Sequence, residues 1–261
     1  MRRSYGFPLL LGLLAGLLAL PEARAEEPAC DPVAIDLTLM PQRTLIYPSL
    51  KETLRVQAAR PERADVVLIG DSLFAGWRTD LPTTFPSTAI YDFAVGGDRV
   101  PNVLWRLENT DLSHLRPAAI ALLIGTNDLA AGTPACAVAI GIETIVERLR
   151  RLWPETPVLV LTIPPRGADF RALDGQRLEV NRAIGVLGGR FDKVHPVAID
   201  DGVFTCGGYG KPPLTGGVAA ERYSCDNYAD DNLHFSTKGY VELGRLLARA
   251  TAGMRRESIF R

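Results

Sequence analysis

The sequence predicts an α/β fold, a doubly wound sandwich in which helices cover both faces of one parallel sheet. Five short apolar runs recur along the chain, and segments with helical periodicity separate them. Most of these runs are apolar throughout rather than alternating with polar residues, as expected for strands that are buried on both faces of a parallel sheet. The alternation of such strands with helices is typical of the doubly wound architecture.

The predicted elements follow one another in regular order. Strands are expected at residues 66–70, 89–95, 119–125, 158–163 and 194–199. Helices are expected at residues 50–60, 101–108, 136–152, 174–188 and 237–252. The helix at 136–152 shows the pattern best, because apolar residues recur every three or four positions with Arg and Glu opposite. Residues 201–229 have no clear period and six glycines, which predicts a long loop.

The first 25 residues have the pattern of a cleaved signal peptide. Arg2 and Arg3 precede the apolar run FPLLLGLLAGLLAL, and Ala-Arg-Ala at 23–25 fits a cleavage site. The run is short for a membrane span, so an uncleaved anchor is the less favoured alternative. We therefore expect a signal peptide at 1–25, a single mature domain at 26–261, no stable membrane insertion after cleavage, and a periplasmic or secreted location.

The net charge excludes one class of partner. Removal of residues 1–25 takes away three Arg and one Glu, which changes the formal charge from −1 to −3. Nucleic acid binds to strongly basic surfaces, so no nucleic-acid partner is expected. The sequence does not determine the oligomeric state.

The four cysteines predict disulfides, because an exported protein folds in an oxidising compartment. Four cysteines allow three pairings. We favour a bond between Cys206 and Cys225, which bracket one glycine-rich loop, and this leaves Cys30 with Cys136. No CxxC or Cys/His spacing typical of a metal site is present in the sequence, so no metal is expected.

The carboxyl ends of the first three predicted strands carry glycine together with small polar residues. The first is followed by Gly-Asp-Ser with Ser72, the second by a turn with Gly97, and the third by Gly-Thr-Asn-Asp with Asn127. Ligands in doubly wound sheets bind beyond these strand ends. Ser72 could simply cap the next helix, but three such blocks at one edge favour a functional site with Ser72 as a nucleophile.

A serine nucleophile needs a base, and the chain has three histidines. His114 precedes a predicted strand and His195 begins one, so both belong at the opposite edge of the sheet. His234 lies just before the last helix, at the edge where Ser72 is expected. Asp231 lies three residues upstream of His234 and could fix its tautomer. Asp230 and Asp231 could alternatively be solvated turn residues.

Two further groups complete the hypothesis, the donors to the substrate oxyanion and Asp71. Charge that develops on an ester carbonyl oxygen needs preorganised donors, and the candidates are the backbone N–H groups of Ser72 and Gly97 and the side-chain amide of Asn127. Asp71 is expected to brace the turn by accepting backbone N–H bonds rather than to act on substrate.

Taken together, these blocks resemble the SGNH (GDSL-type) hydrolase superfamily. The motifs are Gly-Asp-Ser with Ser72, the second-block Gly97, Gly-x-Asn-Asp with Asn127, and Asp-x-x-His with Asp231 and His234. The likeness covers roughly residues 64–250. The stretch GGDRVPNVLWRLENTDLSHLRP, together with IGTND and IPPRG, is similar to the catalytic subunits of intracellular platelet-activating-factor acetylhydrolases.

The resemblance implies a three-layer α/β/α sandwich with a flavodoxin-like five-stranded parallel sheet and no metal or organic cofactor. It implies a serine esterase that removes short acyl groups, notably acetyl, from ester oxygens. The signal-peptide pattern departs from these intracellular relatives and predicts an exported enzyme that acts on small or polysaccharide esters. A lipase-like or thioesterase activity on longer chains, an O-acyltransferase and, least favoured, a non-catalytic carbohydrate-binding protein are the alternatives. Leu73, Phe74 and Trp77 could line an acyl pocket or belong to the core, and the 206–225 loop is expected to border the pocket.

Overall fold

The computed structural model describes residue 1, residues 30–211 and 225–252, and residues 254 and 260. Apart from residue 1, the predicted signal peptide at 1–25 lies outside the described residues, and so do residues 212–224 of the Cys-bracketed loop. The signal peptide and the single domain at 26–261 therefore stay predictions. No helix in the described ranges is long and apolar enough to cross a membrane.

Five parallel strands form one sheet with the spatial order β2-β1-β3-β4-β5. The strands are β1 Val66–Gly70, β2 Ile90–Asp92, β3 Ala119–Leu123, β4 Val158–Leu161 and β5 Val194–Val197. This is the flavodoxin-like order, in which the chain changes direction across the sheet after β1 and β2. The predicted fold class is confirmed, and the carboxyl ends of β1 and β3 lie side by side because Gly70 is the register partner of Leu123.

Ten helices cover the sheet in the part of the chain that the structure describes. They are α1 Pro32–Leu39, α2 Tyr47–Ala59, α3 Ser72–Ala75, α4 Leu81–Thr84, α5 Val100–Glu108, α6 Thr126–Ala130, α7 Ala135–Leu152, α8 Asp174–Gly185, α9 Asp201–Phe204 and α10 Thr237–Thr251. The five predicted helices correspond to α2, α5, α7, α8 and α10. The end of the fourth predicted helix becomes a separate 3-10 turn, Leu187–Gly189.

Helix α1 is not predicted by the sequence. Asp31 caps it by accepting a hydrogen bond from the Val33 backbone N–H at 3.0 Å, and Pro32 begins it. The helix has eight residues and exposes Val33 and Leu37, so its sequence lacks a clear apolar face. The Cys30–Cys136 disulfide joins the start of this segment to α7.

The second strand is shorter than predicted. Regular pairing of β2 ends at Asp92, whose side chain accepts a hydrogen bond from the Ala94 backbone N–H at 3.1 Å. The chain still follows β1 beyond that point, because Phe93 N–H bonds to Leu68 O and Val95 N–H bonds to Gly70 O. The second glycine block is thereby held beside the end of β1.

The core has two layers, one on each face of the sheet. Along β1, Val67 and Ile69 pack into one apolar cluster, whereas Val66 and Leu68 pack into the other. Every residue of β1 is buried for this reason. The uninterrupted apolar runs in the sequence are therefore explained by a sheet with two covered faces.

Candidate active site

Ser72 lies at the sharp turn between β1 and α3, at the carboxyl edge of the sheet. Asp71 caps α3, since its side chain accepts a hydrogen bond from the Leu73 backbone N–H at 2.9 Å. Gly70 permits the close approach of β3, because a Cβ atom at this position would lie 2.0 Å from the Leu123 carbonyl oxygen. As the sequence predicts, Asp71 braces the turn and leaves the Ser72 hydroxyl free to face the opposite loop.

The structure places His234 and Asp231 in line with Ser72. The Ser72 Oγ lies 2.9 Å from His234 Nε2, and His234 Nδ1 lies 2.6 Å from Asp231 Oδ2. A carboxylate on Nδ1 holds the proton at that nitrogen and leaves Nε2 as an acceptor for the serine hydroxyl. In sequence, Ser72 is 162 residues from His234, and Asp231 is 3 residues from His234. The fold brings the three side chains together.

The Asp231 carboxylate is prepared for this role by its own contacts. Its Oδ1 accepts the backbone N–H groups of Leu233 and His234, each at 3.0 Å. Partial burial acts to raise the pKa of Asp231, but the hydrogen bonds from the His234 ring and from these two N–H groups outweigh it and lower the pKa to about 2. The carboxylate is ionised at neutral pH, which stabilises a positive charge on the imidazole.

The loop that carries His234 is tied to the segment after β4. Ala229 N–H bonds to His234 O at 2.8 Å, which closes the loop on itself. Gly167 N–H bonds to Asn232 O, and Tyr228 Oη donates to Pro165 O, both at 2.9 Å. These contacts hold the imidazole at the edge where Ser72 emerges.

The three predicted oxyanion donors lie at the same edge. Gly97 adopts φ +78°, a conformation that favours glycine. Among the described residues, no protein acceptor pairs with the backbone N–H groups of Ser72 and Gly97. The Asn127 side-chain amide donates to Asp98 O at 3.0 Å, which links it to the residue after Gly97 and leaves its second N–H uncommitted.

A buried ion pair lies beneath these donors. Arg106 is 1% exposed, and its guanidinium pairs with the Asp98 carboxylate at 2.7 Å. It also donates to Phe93 O and, at 3.3 Å, to Gly70 O. Arg106 thus connects the end of β1, the end of β2 and the second glycine block.

The sequence does not predict the burial of Arg106, although a signal is present. Arg106 lies three and six residues after Val103 and Val100, which are both buried on α5. This spacing places Arg106 on the apolar face of the helix, where an arginine needs a partner. Arg99, at the start of the same helix, is half-buried and does not line the pocket beside Ser72.

Three carboxyl groups are buried around the strand ends. Burial raises the pKa of Asp71 to about 8, that of Asp128 to about 7 and that of Asp98 to about 6. Asp128 is held by the Val100 backbone N–H at 3.1 Å, and Asp98 by Arg106. The second carboxyl oxygen of Asp71 has no hydrogen-bond partner within the described part of the chain.

A pocket of about 600 Å³ opens beside Ser72. Its lining residues are Ile46, Pro48, Ser49, Glu52, Ser72, Ala75, Gly76, Arg78, Gly96, Gly97 and His234. The residues from α2 and the segment before it are not predicted by the sequence. None of the described loop residues at 206–211 lines the pocket, so the predicted border role of the rest of that loop stays a prediction.

The other histidines and the apolar residues after Ser72 do not contribute to the pocket. His114 contacts Pro61 O at 3.0 Å in the loop before β3, and His195 lies within β5. Leu73, Phe74 and Trp77 have no exposed surface and belong to the core, so they are not pocket residues. Across the described ranges, no group of three or more His, Cys, Asp or Glu side chains could hold a metal ion.

Comparison with known proteins assigns the chain to a family. The model of the GDSL-like lipase/acylhydrolase family matches residues 68–241, which include all the motif residues described above. The chain belongs to the GDSL-like lipase/acylhydrolase family. This GDSL-like protein is therefore an enzyme of the carboxylic ester hydrolase class, as its motifs predict.

Among the relatives of this GDSL-like enzyme is platelet-activating factor acetylhydrolase IB subunit alpha1 of Rattus norvegicus. The two chains are 30% identical over 198 residues, which cover 74% of this chain and 77% of the relative. The alpha2 subunit of Gallus gallus is 31% identical over 153 residues, which cover 56% of this chain and 64% of the relative. The similarity to acetylhydrolase subunits is confirmed.

Solved structures share the fold of this GDSL-like enzyme. A GDSL-like lipase from Bacteroides thetaiotaomicron matches with a TM-score of 0.56 and 19% identity, covering 78% of this chain and 98% of the other. An acetylxylan esterase from Geobacillus stearothermophilus matches with a TM-score of 0.52 and 14% identity, covering 76% and 96%. At these identities the matches establish the architecture.

Proposed function

We propose that this protein is an exported serine esterase that hydrolyses short-chain acyl esters, with acetyl as the preferred group. The observation that carries the proposal is the continuous hydrogen-bond line from Asp231 through His234 to the hydroxyl of Ser72. A weakly acidic hydroxyl at the edge of a pocket becomes a nucleophile only beside such a base. The mature chain and its location outside the cytoplasm follow from the signal-peptide pattern, and the two disulfides support them.

The reaction divides into two steps. In acylation, His234 Nε2 takes the proton of Ser72 as Oγ attacks the ester carbonyl, and the N–H groups of Ser72, Gly97 and Asn127 donate to the oxyanion. His234 then returns the proton to the leaving alcohol, and an acyl-serine remains. In deacylation, His234 activates water, which releases the acid and restores Ser72.

The short-acyl preference rests on two kinds of support. Relatives that are about 30% identical over most of the chain are named acetylhydrolases, and a structural neighbour is named an acetylxylan esterase. An acetylated polysaccharide or a small acetyl ester is a substrate that an exported enzyme can reach. The same residues would serve an O-acyltransferase, in which a sugar hydroxyl replaces water in the second step.

The test compares Ser72→Ala with the wild type on p-nitrophenyl esters from acetyl to octanoyl and on acetylated xylan. We expect kcat to fall by about 10³-fold or more, because loss of a serine nucleophile removes the acyl-enzyme route. Ser113→Ala is the control, since Ser113 lies in the exposed loop before β3 and its hydroxyl donates to the Asp111 carboxylate there. We expect wild-type activity to be highest on acetyl esters.

Three results would change the proposal. Equal activity of wild type and Ser72→Ala would show that Ser72 is not the nucleophile. Activity that rises steadily from acetyl to octanoyl would replace the short-acyl preference with the lipase-like alternative. Accumulation of an acylated sugar when a sugar acceptor is added would favour the transferase.

A further inference from the structure

The pocket beside Ser72 has a charged wall. Glu52 from α2 and Arg78 from the segment after α3 line it together and form an ion pair. Arg78 is anchored further by Asp92 at 2.6 Å and by Ala94 O at 3.1 Å. Arg55 holds Glu52 with two hydrogen bonds of 2.9 and 2.8 Å. Both side chains are therefore fixed and cannot easily turn away from a bound group.

This ion pair is less exposed than Ile46, another residue that lines the pocket. The Glu52 and Arg78 side chains are 24% and 32% exposed, whereas Ile46 is 64% exposed. A substrate group that fills the pocket therefore lies against this ion pair.

The acyl group is the part of the substrate that enters here. The leaving alcohol must lie next to His234 Nε2, which protonates it. The side chains of His234 and Asp231 are 39% and 49% exposed, so the alcohol side of the site is open to solvent. The part of the pocket that residues of α2 and α3 line remains for the acyl chain.

We infer that the Glu52–Arg78 ion pair limits the length of the acyl chain, because it presents charge where the methylene groups of a longer chain would lie. This inference rests on the proposed function and names the residues that set its substrate range. An apolar chain against an ion pair displaces water from the charges without replacing its hydrogen bonds, which costs free energy. A short acyl group ends before the charged wall and avoids this cost.

The experiment uses Glu52→Leu. The substitution removes the carboxylate and adds an apolar wall, while Arg78 keeps Asp92 and Ala94 O as partners. Leucine is a good helix former, so α2 should persist. The measurement is kcat/KM on p-nitrophenyl acetate, butanoate and hexanoate. We expect the hexanoate-to-acetate ratio to rise by about 10-fold or more, since each methylene in an apolar pocket is worth at least about that factor.

Two matched variants separate wall polarity from other effects. Glu52→Gln keeps the shape and polarity of the wall, and Arg55→Leu removes a contact to Glu52 from outside the pocket, since Arg55 does not line it. We expect both variants to keep the wild-type ratio within about 2-fold. A ratio that rises equally in Glu52→Gln, or that is unchanged in Glu52→Leu, would overturn the inference.

A second measurement does not depend on the folding of any variant. Acetate, butanoate and hexanoate are tested as competitive inhibitors of the wild-type enzyme, and we expect inhibition that does not strengthen with chain length. Inhibition that strengthens with each added methylene would contradict the inference. If the wild type hydrolyses acetyl esters and Ser72→Ala does not, either negative result counts against the role of the ion pair alone; if no serine-dependent esterase activity is found, the proposed function itself fails.

Discussion

Asp71 connects the last residue of β1 to Ser72 and is fully buried. Burial is the main reason that its pKa rises to about 8, and the nearby carboxyl groups of Asp128 and Asp98 raise it further, against the Leu73 backbone N–H. The protonated form of Asp71 is thus favoured in the folded protein over a wide pH range. Ionisation of the buried Asp71 carboxyl group therefore lowers the free energy of unfolding.

This cost predicts a pH-dependent effect of Asp71→Asn. Because the pKa of Asp71 in the folded protein lies above its ordinary value of 3.8, the stability contributed by protonated Asp71 is fully present below about pH 3.8 and is lost as the pH rises toward 8. Asparagine can still accept the Leu73 N–H and has no such loss. We expect the free energy of unfolding of Asp71→Asn, relative to wild type, to increase between pH 4 and 8 in urea titrations.

The control for this series is Asp192→Asn, since Asp192 is exposed in the loop before β5. Its stability relative to wild type should not follow the same rise. A difference between Asp71→Asn and wild type that is constant from pH 4 to 8 would show that Asp71 does not titrate in this range.

At the scale of elements, the approach of β1 to β3 sets the position of the turn that carries Ser72. Gly70 and Leu123 are register partners at the ends of the two strands, and the Leu123 carbonyl oxygen occupies the space that a side chain at position 70 would need. The clash would be with a backbone atom rather than with a flexible side chain, so a side chain at position 70 could be accommodated only if the two strands moved apart.

We therefore expect Gly70→Ala to destabilise the protein by about 3 kcal/mol, the upper end of ordinary overpacking, and to lower kcat. The measurements are urea unfolding and esterase kinetics. Gly175→Ala in α8 is the matched control, because nothing lies within 4 Å of its added Cβ and alanine favours helices by up to about 1 kcal/mol. If Gly70→Ala unfolds at the same urea concentration as the control, the close approach of the strands is not limiting.

For the whole molecule, the two disulfides close loops of very different length. Cys30–Cys136 spans 106 residues and fastens the segment before α1 to α7, whereas Cys206–Cys225 spans 19. In the chain-entropy model a longer closed loop restricts the unfolded chain more. The first bond should therefore contribute more to stability, although neither lies in the pocket beside Ser72.

We expect replacement of Cys30 and Cys136 by serine to cost about 4–5 kcal/mol, and replacement of Cys206 and Cys225 about 3 kcal/mol. The comparison is made by urea unfolding of the two double variants without reductant. Treatment of wild type with dithiothreitol should give a loss at least as large as the first. A larger loss from the Cys206–Cys225 variant would show that native contacts around the short loop, rather than chain entropy, decide the contribution.

Much of the fold and of the candidate site could be predicted because the relevant signals are local. Burial on both faces makes strands such as Val66–Gly70 apolar throughout, and the Gly, Asp and Asn residues after them mark the turns. The edge rule for parallel sheets then places Ser72, Gly97 and Asn127 together. Helix α1 escaped prediction because it is short and two of its apolar side chains, Val33 and Leu37, are exposed.

What the sequence determined by itself is the alternation of elements and the identity of the residues that meet at one edge. The pairing of charges follows only from the packed structure: Arg106 pairs with Asp98 beside the predicted oxyanion donors, and Glu52 pairs with Arg78 in the pocket wall. The reason is physical. Periodicity and turn chemistry act between neighbours in the chain, whereas the partner of a buried or half-buried charge depends on how separate helices pack against the sheet.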